Sequence, residues 1–244
     1  MPSDTSIVMY SHSEYSDVWK MFIGQIDENF EGINKYIFAD KKLDFVPDHW
    51  VTITYDDNLP YDKRVATCLR QIKEQYCIFH HEDMPLYQPP NHDSLLECKN
   101  TLDSSRLSYV KLIKGGFYDE SYRDFPYKGC QNLHHIQHNS SFCYAVQPTL
   151  WKVKDLQMLY DTTSVSHIRE FEPMASRVCW ALNIQGAYWY AGEQKRGEHH
   201  WDSDVYPYIA TAIVKGKWNL SQYKKELKTL SDKYKIDLSI RGVV

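Results

Sequence analysis

The 244-residue sequence lacks paired cysteines, long apolar runs and strong clusters of basic residues. Its six cysteines are scattered without a C-x-x-C spacing, which disfavours a zinc ribbon and predicts buried free thiols in a reducing cytoplasm. No apolar run approaches the roughly 18 residues of a membrane span, and residues 1–4 lack the basic and apolar regions of a signal peptide. We therefore expect a soluble, cytoplasmic protein without a transmembrane segment.

Acidic residues outnumber basic ones by 32 to 28, which gives a formal net charge of −4. Affinity for a phosphate backbone comes mostly from clustered Lys and Arg, and the sequence offers only a short face of Lys224, Lys225 and Lys228. Nonspecific binding to nucleic acid is therefore disfavoured. A hydrophobic content of 43% is ordinary for a globular protein, and no repeat or linker divides the chain. We expect a single domain over residues 1–244.

The sequence does contain an alternation of short apolar runs and amphipathic segments. The first run, residues 6–10, leads through Ser11, His12 and Ser13 into helical periodicity over residues 15–30. Ser13 is the expected N-cap of this helix. The backbone N–H groups of the turn would suit an anionic ligand such as a diphosphate, and a plain cap is the alternative interpretation.

Acidic residues follow the next three predicted strands. A strand at 35–38 ends at Asp40, and a strand at 50–55 ends at Asp56 and Asp57. After a predicted helix over 61–75, a buried strand from residue 76 runs into Glu82 and Asp83. This alternation predicts an α/β fold with a mostly parallel sheet flanked by helices. Ligands bind outside the carboxyl ends of such strands, and carboxylates favour magnesium or manganese over zinc. A solvated strand end is the alternative to a metal site.

Beyond residue 88 the pattern changes. We predict a helix over 92–102 capped by Asn91, a strand over 107–113, and a long loop over 117–141 that would shape or cover a site. The remaining predicted elements are a strand at 142–146, helices at 154–160 and 167–182, strands at 184–191 and 208–214, and a final helix from the cap Ser221 to about residue 235.

Taken together, these features resemble the nucleotide-diphospho-sugar glycosyltransferases of the GT-A fold, in particular small bacterial and viral transferases. The likeness covers most of the chain and rests on the Ser-His-Ser turn, the His-Glu-Asp strand end, and the segments 147–151 (QPTLW), 169–172 (REFE) and 216–218 (GKW). The resemblance rests on the order and spacing of these segments, since no single segment is diagnostic. The resemblance implies a donor-binding half over about residues 1–115 and an acceptor-side half over about residues 116–244.

The resemblance also implies a chemistry. A nucleotide-diphospho-sugar would bind across the strand ends, Mn²⁺ or Mg²⁺ would bridge its diphosphate to the acidic motif, and a glycan or other hydroxyl acceptor would attack the anomeric carbon, as in polysaccharide synthesis. Asp83 is the first choice as metal ligand, while Glu82 would bind the metal, a metal-bound water or the sugar. His81 stands where the family's triplet usually has Asp. His199 or His200 is a further candidate ligand, because many relatives add a C-terminal histidine.

An inverting transfer needs a base for the proton of the attacking hydroxyl, and a carboxylate suffices. Position in the resemblance favours Glu172, with Glu170 as the alternative. On a regular helix residues two apart point about 200° from each other, so one of the two faces the pocket. Pro173 fits a helix start, where Glu172 would be merely a charge near the helix dipole. A retaining enzyme would not need this base.

The expected donor-binding residues share positions at strand ends or in the following elements: Ser11, His12, Ser13, Asp40, Asp56, Arg64, Glu82 and Asp83. Three of these residues, Asp40, Asp56 and Arg64, are as compatible with a surface cap or an ion pair as with donor binding. His134, His135 and His138 have a weak spacing for zinc and no paired cysteines.

Two other functions are compatible with the pattern. A sugar-1-phosphate nucleotidyltransferase shares the sheet, but its Gly-rich phosphate loop is missing, since residues 11–14 contain no glycine. A non-catalytic carbohydrate- or nucleotide-binding module on the same fold would bind a nucleotide sugar without turnover. The first expectation is a metal-dependent glycosyltransferase.

Overall fold

The computed structural model describes residues 1–115, 124–137, 140, 142–165, 168–197 and 200–244, without the side chain of Arg169. The strands in these ranges are β1 (Thr5–Tyr10), β2 (Asn34–Ala39), β3 (Trp50–Thr54), β4 (Tyr76–His81), β5 (Tyr109–Lys111), β6 (Pro126–Tyr127), β7 (Cys130–His135), β8 (Thr149–Lys152), β9 (Gly186–Trp189), β10 (Ile213–Val214) and β11 (Lys217–Trp218). The helices are α1 (Ser16–Asn29), α2 (Tyr61–Leu69), α3 (His92–Ser104), α4 (Val153–Thr162), α5 (Ile168–Ala181), α6 (Lys224–Tyr234) and α7 (Leu238–Arg241).

Nine of the described strands form one sheet, in the order β3-β2-β1-β4-β8-β5-β9-β7-β6. Parallel pairs join β1 to β2 and β4, β2 to β3, and β5 to β9. β8 runs antiparallel between β4 and β5, and β7 runs antiparallel to β9 and β6. The predicted α/β fold with a mostly parallel sheet is confirmed. The carboxyl ends of β1 to β5 and β9 therefore lie along one edge, where β8 begins.

The sheet is buried on both faces by helices. All residues of β1 are buried, and successive side chains of a strand point to opposite faces. Ile7 and Met9 accordingly join one core cluster with residues of α1 and α3, while Val8 and Tyr10 join a second cluster with residues of α2, α4 and α5. Burial on both faces explains why these strands read as continuous apolar runs.

Two predicted helix caps are wrong. Ser13 begins a 3-10 turn, Ser13–Tyr15, whose N-cap is His12, and α1 starts only at Ser16. Ser221 lies before α6, which begins at Lys224 and has no side-chain cap. Both serines are occupied elsewhere: Ser13 donates to Asp40, and Ser221 donates to the side chain of Asn219. α2 also ends at Leu69 rather than residue 75, because the chain closes there into tight turns.

Several predictions for the second half are also corrected. The predicted loop 117–141 contains β6 and β7, and the predicted strand 142–146 is irregular because its backbone amides bond to side chains of α5. The strand in this part of the chain is β8, which begins within the QPTLW segment and ends one residue beyond it, at Lys152. Residues 208–214 supply only β10 and an isolated bridge, since their amides bond to carbonyls of the segment after β4. Pro173 lies inside α5 rather than at its start.

The prediction of buried thiols is confirmed, since all six cysteine side chains are buried and none forms a disulfide. Among the described residues, no helix is both long and apolar enough to cross a bilayer.

Candidate functional site

The acidic end of β4 is fixed from two sides. The backbone amide of Ala212 donates to the Asp83 carbonyl at 2.8 Å, and the backbone of Ile213 makes a hydrogen bond to the Asp83 carboxylate. Glu82 is hydrogen-bonded to the side chain of Ser11, whose Oγ also accepts from Trp19 Nε1 at 2.6 Å. Ser11 therefore connects the first strand end to the acid pair.

Both acids of the pair are held in an environment that disfavours their charge. Burial raises the pKa of Glu82 to about 8, with the negative charge of Asp83 adding to the effect and Arg241 opposing it. Burial likewise raises the pKa of Asp83 to about 6. Two adjacent carboxylates under mutual repulsion suit a divalent cation, which would relieve it.

This donor set fits magnesium or manganese. Within the described residues, no group of three or more His, Cys, Asp and Glu side chains comes together as a metal site. Mg²⁺ is commonly held by only one or two carboxylates together with substrate phosphates and water, so a pair of acids suffices. A cation at this position would therefore depend on the ligand for its remaining oxygens.

His81 does not complete the acidic motif. Its Nε2 lies 3.0 Å from the Tyr61 hydroxyl, and its ring packs 5.2 Å from that of Tyr10. Burial lowers the pKa of His81 to about 4, so the ring is neutral at pH 7. The Tyr61 hydroxyl also bonds to that of Tyr160, which bonds in turn to Tyr144. The residue in the place of the usual Asp is thus tied into a core of tyrosines.

The turn after β1 is closed by its own side chains. Asp40, at the end of β2, accepts from the Ser13 amide at 2.6 Å and from its hydroxyl at 2.7 Å. The Glu14 amide donates to His12 Nδ1 at 3.2 Å. The Ser13 and Glu14 amides, which were expected to face a diphosphate, therefore already donate to side chains of the protein. Asp40 is one of these acceptors, so it stabilises the turn.

Asp57 rather than Asp56 joins the neighbouring groups. The Asp57 carboxylate lies 2.7 Å from Arg64 Nη1 and 3.4 Å from His12 Nε2. The Asp56 side chain is exposed, and among the described residues its carboxylate accepts from Asn58 alone. The guanidinium of Arg64 lies 5.4 Å from the ring of Tyr55. The sequence placed both acids at the end of this strand, and Asp56 was selected as the site residue because two adjacent acids give the same local signal.

Two aromatic rings at this edge were also missed. Tyr10 and Tyr55 stack with centroids 5.5 Å apart, and the Tyr55 hydroxyl donates to the Ser11 carbonyl at 2.8 Å. Tyr10 ends β1 and Tyr55 directly follows β3, so both lie at the carboxyl edge of the sheet. Their position after a strand was the available signal, which the high tyrosine content obscured.

A cavity of about 930 Å³ opens beside this edge. One wall is α5, a second is the segment 142–147, and a third comes from residues 200 to 222. The lining residues are Phe142, Tyr144, Ala145, Val146, Gln147, Glu172, Pro173, Ser176, Arg177, Trp180, His200, Tyr208, Ala210, Thr211, Val214, Asn219 and Gln222. The cavity thus brings the predicted Glu172 and His200 together. It also adjoins the acid pair, because Ala212 and Ile213, which bond to Asp83, lie between Thr211 and Val214.

Glu172 is oriented within this cavity. Its Oε1 accepts from the Val146 backbone amide at 2.5 Å. Glu170 is exposed and does not line the cavity. Beneath the same wall, the buried Lys111 donates to the Phe142 carbonyl, and burial lowers its pKa to about 8 while Glu172 opposes the shift. Lys111 was missed, although a lysine within the apolar run 107–113 is an unusual signal.

His200 is held by a short turn that packs on α6. The amides of Arg196 and Gly197 donate to the His200 carbonyl at 3.1 and 3.3 Å, and its ring stacks on Tyr223 with centroids 5.9 Å apart. Arg196 donates to Asp202 at 2.8 Å and to Glu226 at 3.0 Å. The alternative ligand His199 lies outside the described residues.

His134 and His135 lie next to each other on β7, where consecutive side chains point to opposite faces. His134 Nε2 donates to the Tyr190 carbonyl at 3.0 Å. His138 lies outside the described residues. The described part of this segment therefore supplies single histidines at separate faces.

No family model and no curated protein matches the sequence. Among solved structures, the chain is similar to Staphylococcus aureus TarS 1–349, with a TM-score of 0.51 and 12% identity over 94% of this chain and 64% of that one. The complex of TarS 1–349 with UDP-GlcNAc gives a TM-score of 0.53 at 12% identity, covering 94% and 66% of the two chains. The complex with UDP gives 0.51 at 11% identity, covering 94% and 64%.

The chain thus spans less than two thirds of the length of the TarS structures it matches. Identity this low establishes the fold alone, and that fold is the GT-A-like fold which the sequence resemblance implied.

Proposed function

We propose that this protein is a glycosyltransferase that moves a sugar from a nucleotide-diphospho-sugar to an acceptor hydroxyl with the help of Mn²⁺ or Mg²⁺. The observation that carries the proposal is a juxtaposition at the carboxyl edge of a GT-A-like sheet. There the buried Glu82 and the partly buried Asp83 adjoin a cavity of about 930 Å³ that contains a separately oriented carboxylate, Glu172. A donor site and an acceptor site require these two features side by side.

The donor half of the proposed site lies within residues 1–115. Asp83 and Glu82 would hold the cation, which when bound supplies positive charge to the diphosphate and to the departing nucleoside diphosphate. Tyr10, Tyr55 and Arg64 would contact the nucleoside side of the donor, with Asp40 and His12 bracing the first turn. The similarity of the fold to TarS in complex with UDP-GlcNAc and UDP supports this class of ligand.

The acceptor half lies beyond residue 140. The Val146 amide holds Oε1 of Glu172, while Oε2 makes no hydrogen bond to the described residues and is left to accept the proton of the attacking hydroxyl. Lys111 steadies the wall from below through the Phe142 carbonyl. His200, on the opposite wall, would complete the metal shell or bind the transferred sugar. This arrangement corresponds to an inverting transfer.

A nucleotidyltransferase is less well supported. Such an enzyme gathers the triphosphate of its substrate on backbone amides after the first strand. In this chain the Ser13 and Glu14 amides already bond to Asp40 and His12. The turn therefore offers few amides for that task.

The proposal is tested by thermal shift with UDP, CDP, GDP, ADP and dTDP, each with and without Mn²⁺. A ligand at 100 times its dissociation constant adds about 2.7 kcal/mol of stability, which a melting curve resolves. We expect one diphosphate to stabilise the protein only when Mn²⁺ is present, and the corresponding nucleotide sugar to release that diphosphate when a glycan acceptor is added. Absence of any metal-dependent stabilisation would exclude the proposed donor site. Binding without release would favour the non-catalytic module.

A further inference from the structure

One face of α5 forms a wall of the cavity. Glu172, Pro173, Ser176, Arg177 and Trp180 all line it. At 100° per residue these positions fall within an arc of about 140°, so they share one side of the helix. From Glu172, the rise of 1.5 Å per residue places the Cα of Arg177 about 7.5 Å and that of Trp180 about 12 Å along the axis. The wall thus presents a carboxylate, a cation and an aromatic ring in order.

Arg177 is exposed and makes no hydrogen bond or ion pair with the described residues. Its helical neighbours at spacings of three and four are Pro173, Met174, Trp180 and Ala181, none of which is acidic. Glu172 is the only carboxylate among the described residues of the lining, and its Oε1 is already bonded to Val146. A guanidinium in this setting offers its planar fork to an anion from solution.

Trp180 is also unusually placed for its size. The residue is 40% exposed, and its indole lies beside the thiol of Cys143. The opposite walls add the side-chain amides of Gln147 and Gln222, while the Asn219 amide is already bonded to Thr211 and Ser221. An exposed indole in a cavity that also contains side-chain amides matches the flat apolar face and the hydroxyl groups of a sugar.

We propose that this wall is a subsite for an acidic carbohydrate acceptor, in which a carboxylate or phosphate pairs with Arg177 and a neighbouring sugar ring stacks on Trp180. The inference rests on the proposed glycosyltransferase function and names the class of its acceptor. The attacking hydroxyl lies at Glu172, and the anionic group lies about 7.5 Å farther along α5. A volume of about 930 Å³ has room for more than one sugar ring.

The donor diphosphate is the other anion near this cavity, but it belongs to a different wall. Asp83 is bonded to Ala212 and Ile213, so the donor side of the cavity is the stretch from Thr211 to Val214. Arg177 stands on α5, together with the acceptor base.

The test is a glycan array printed with matched neutral, uronic-acid-bearing and phosphate-bearing oligosaccharides, probed with the labelled full chain. We expect retention on acidic glycans, and the preferred anionic group distinguishes carboxylate from phosphate. Arg177→Gln should lower the affinity for the retained acidic glycan by roughly tenfold or more, as charged hydrogen bonds contribute. Trp180→Ala should weaken the binding of acidic glycans and of their neutral counterparts by similar factors. Arg106→Gln, at the amino ends of β5 and β9, is the matched control and should change nothing.

Nucleoside diphosphate binding with Mn²⁺ is measured on the same variants. If the wild-type protein binds the diphosphate but retains only neutral glycans or none, the acidic subsite is wrong while the donor site stands. If Arg177→Gln weakens diphosphate binding instead of glycan binding, Arg177 is a donor contact and the proposal fails. Loss of metal-dependent diphosphate binding in the wild-type protein would overturn the underlying function instead.

Discussion

The backbone amide of Val146 donates a 2.5 Å hydrogen bond to Oε1 of Glu172. This contact ties the irregular segment before β8 to the second turn of α5, and it leaves one carboxylate oxygen directed to the cavity. Charge-assisted bonds from a backbone amide are short and comparatively strong, so the orientation of Glu172 is set before an acceptor binds. Preorganisation of this kind is what we expect if Glu172 acts as the proposed base.

Glu172→Gln should lower turnover by roughly 10²–10⁴, because the amide keeps the shape and the bond to Val146 but cannot accept a proton. Affinity for the nucleoside diphosphate should barely change. Both quantities are measured on the same preparation, turnover by diphosphate release and affinity by calorimetry. Glu170→Gln is the control, since Glu170 is exposed outside the cavity. Near wild-type turnover of Glu172→Gln would rule out the base, and a collapse confined to Glu170→Gln would transfer the role to that residue.

Asp83→Asn should weaken Mn²⁺-dependent diphosphate binding by about tenfold or more. The neutral amide binds a divalent cation more weakly than the carboxylate does, and the diphosphate depends on that cation. The fold should persist, since the Asp83 backbone keeps its bond from Ala212. Calorimetry with and without Mn²⁺ measures the effect. The exposed Asp44→Asn serves as the control. Undiminished Mn²⁺-dependent binding by folded Asp83→Asn would move the metal to another part of the chain.

The first half of the fold was predictable because its signals are local. β1, β2 and β4 are apolar runs buried on both faces, and the turns that end them carry polar residues, so the acid pair and its edge of the sheet follow from the order of elements. The pairing of Ser13 with Asp40 was not predictable. A serine before a helix signals a cap, and nothing local announces a carboxylate 27 positions away.

The second half was less predictable because its contacts are between distant segments. β7 has a polar sequence, yet its Cys130 and Leu133 are buried, and Leu133 pairs with Trp189 of β9. Glu172 and His200 were both candidate site residues, but only packing of α5 against residues 142–147 and 208–222 places them in one cavity. Periodicity describes elements, whereas this site is made by irregular segments whose amides bond to side chains.

Arg196→Ala should release the turn that carries His200, because the guanidinium joins Asp202 to Glu226 of α6 and packs 4.6 Å from the ring of Tyr223. If His200 belongs to the metal shell, this variant and His200→Ala should weaken Mn²⁺-dependent diphosphate binding by similar factors. Arg196→Lys keeps the charge without the planar guanidinium, so its Mn²⁺-dependent diphosphate affinity should lie between that of these two variants and that of the wild type. A strong effect of His200→Ala alone would show that Arg196 does not position the ring.

His80, which is buried as a neutral ring, should contribute a loss of stability as the pH drops below about 6.5. Its Nδ1 donates to the Val8 carbonyl and its Nε2 accepts from the Tyr206 hydroxyl, and burial lowers its pKa from 6.5 to about 3. Above pH 6.5 both the folded and the unfolded ring are neutral, so this contribution is complete. Between pH 6.5 and 3 only the unfolded chain takes up the proton, which costs about 1.4 kcal/mol of unfolding free energy per pH unit.

Urea denaturation at pH 7.0, 6.0, 5.0 and 4.5 measures how the free energy of unfolding changes with pH. His80→Gln, which cannot titrate, should reduce this slope by about 1.4 kcal/mol per pH unit, whereas the exposed His92→Asn should not. An unchanged slope in folded His80→Gln would show that other groups govern the acid sensitivity.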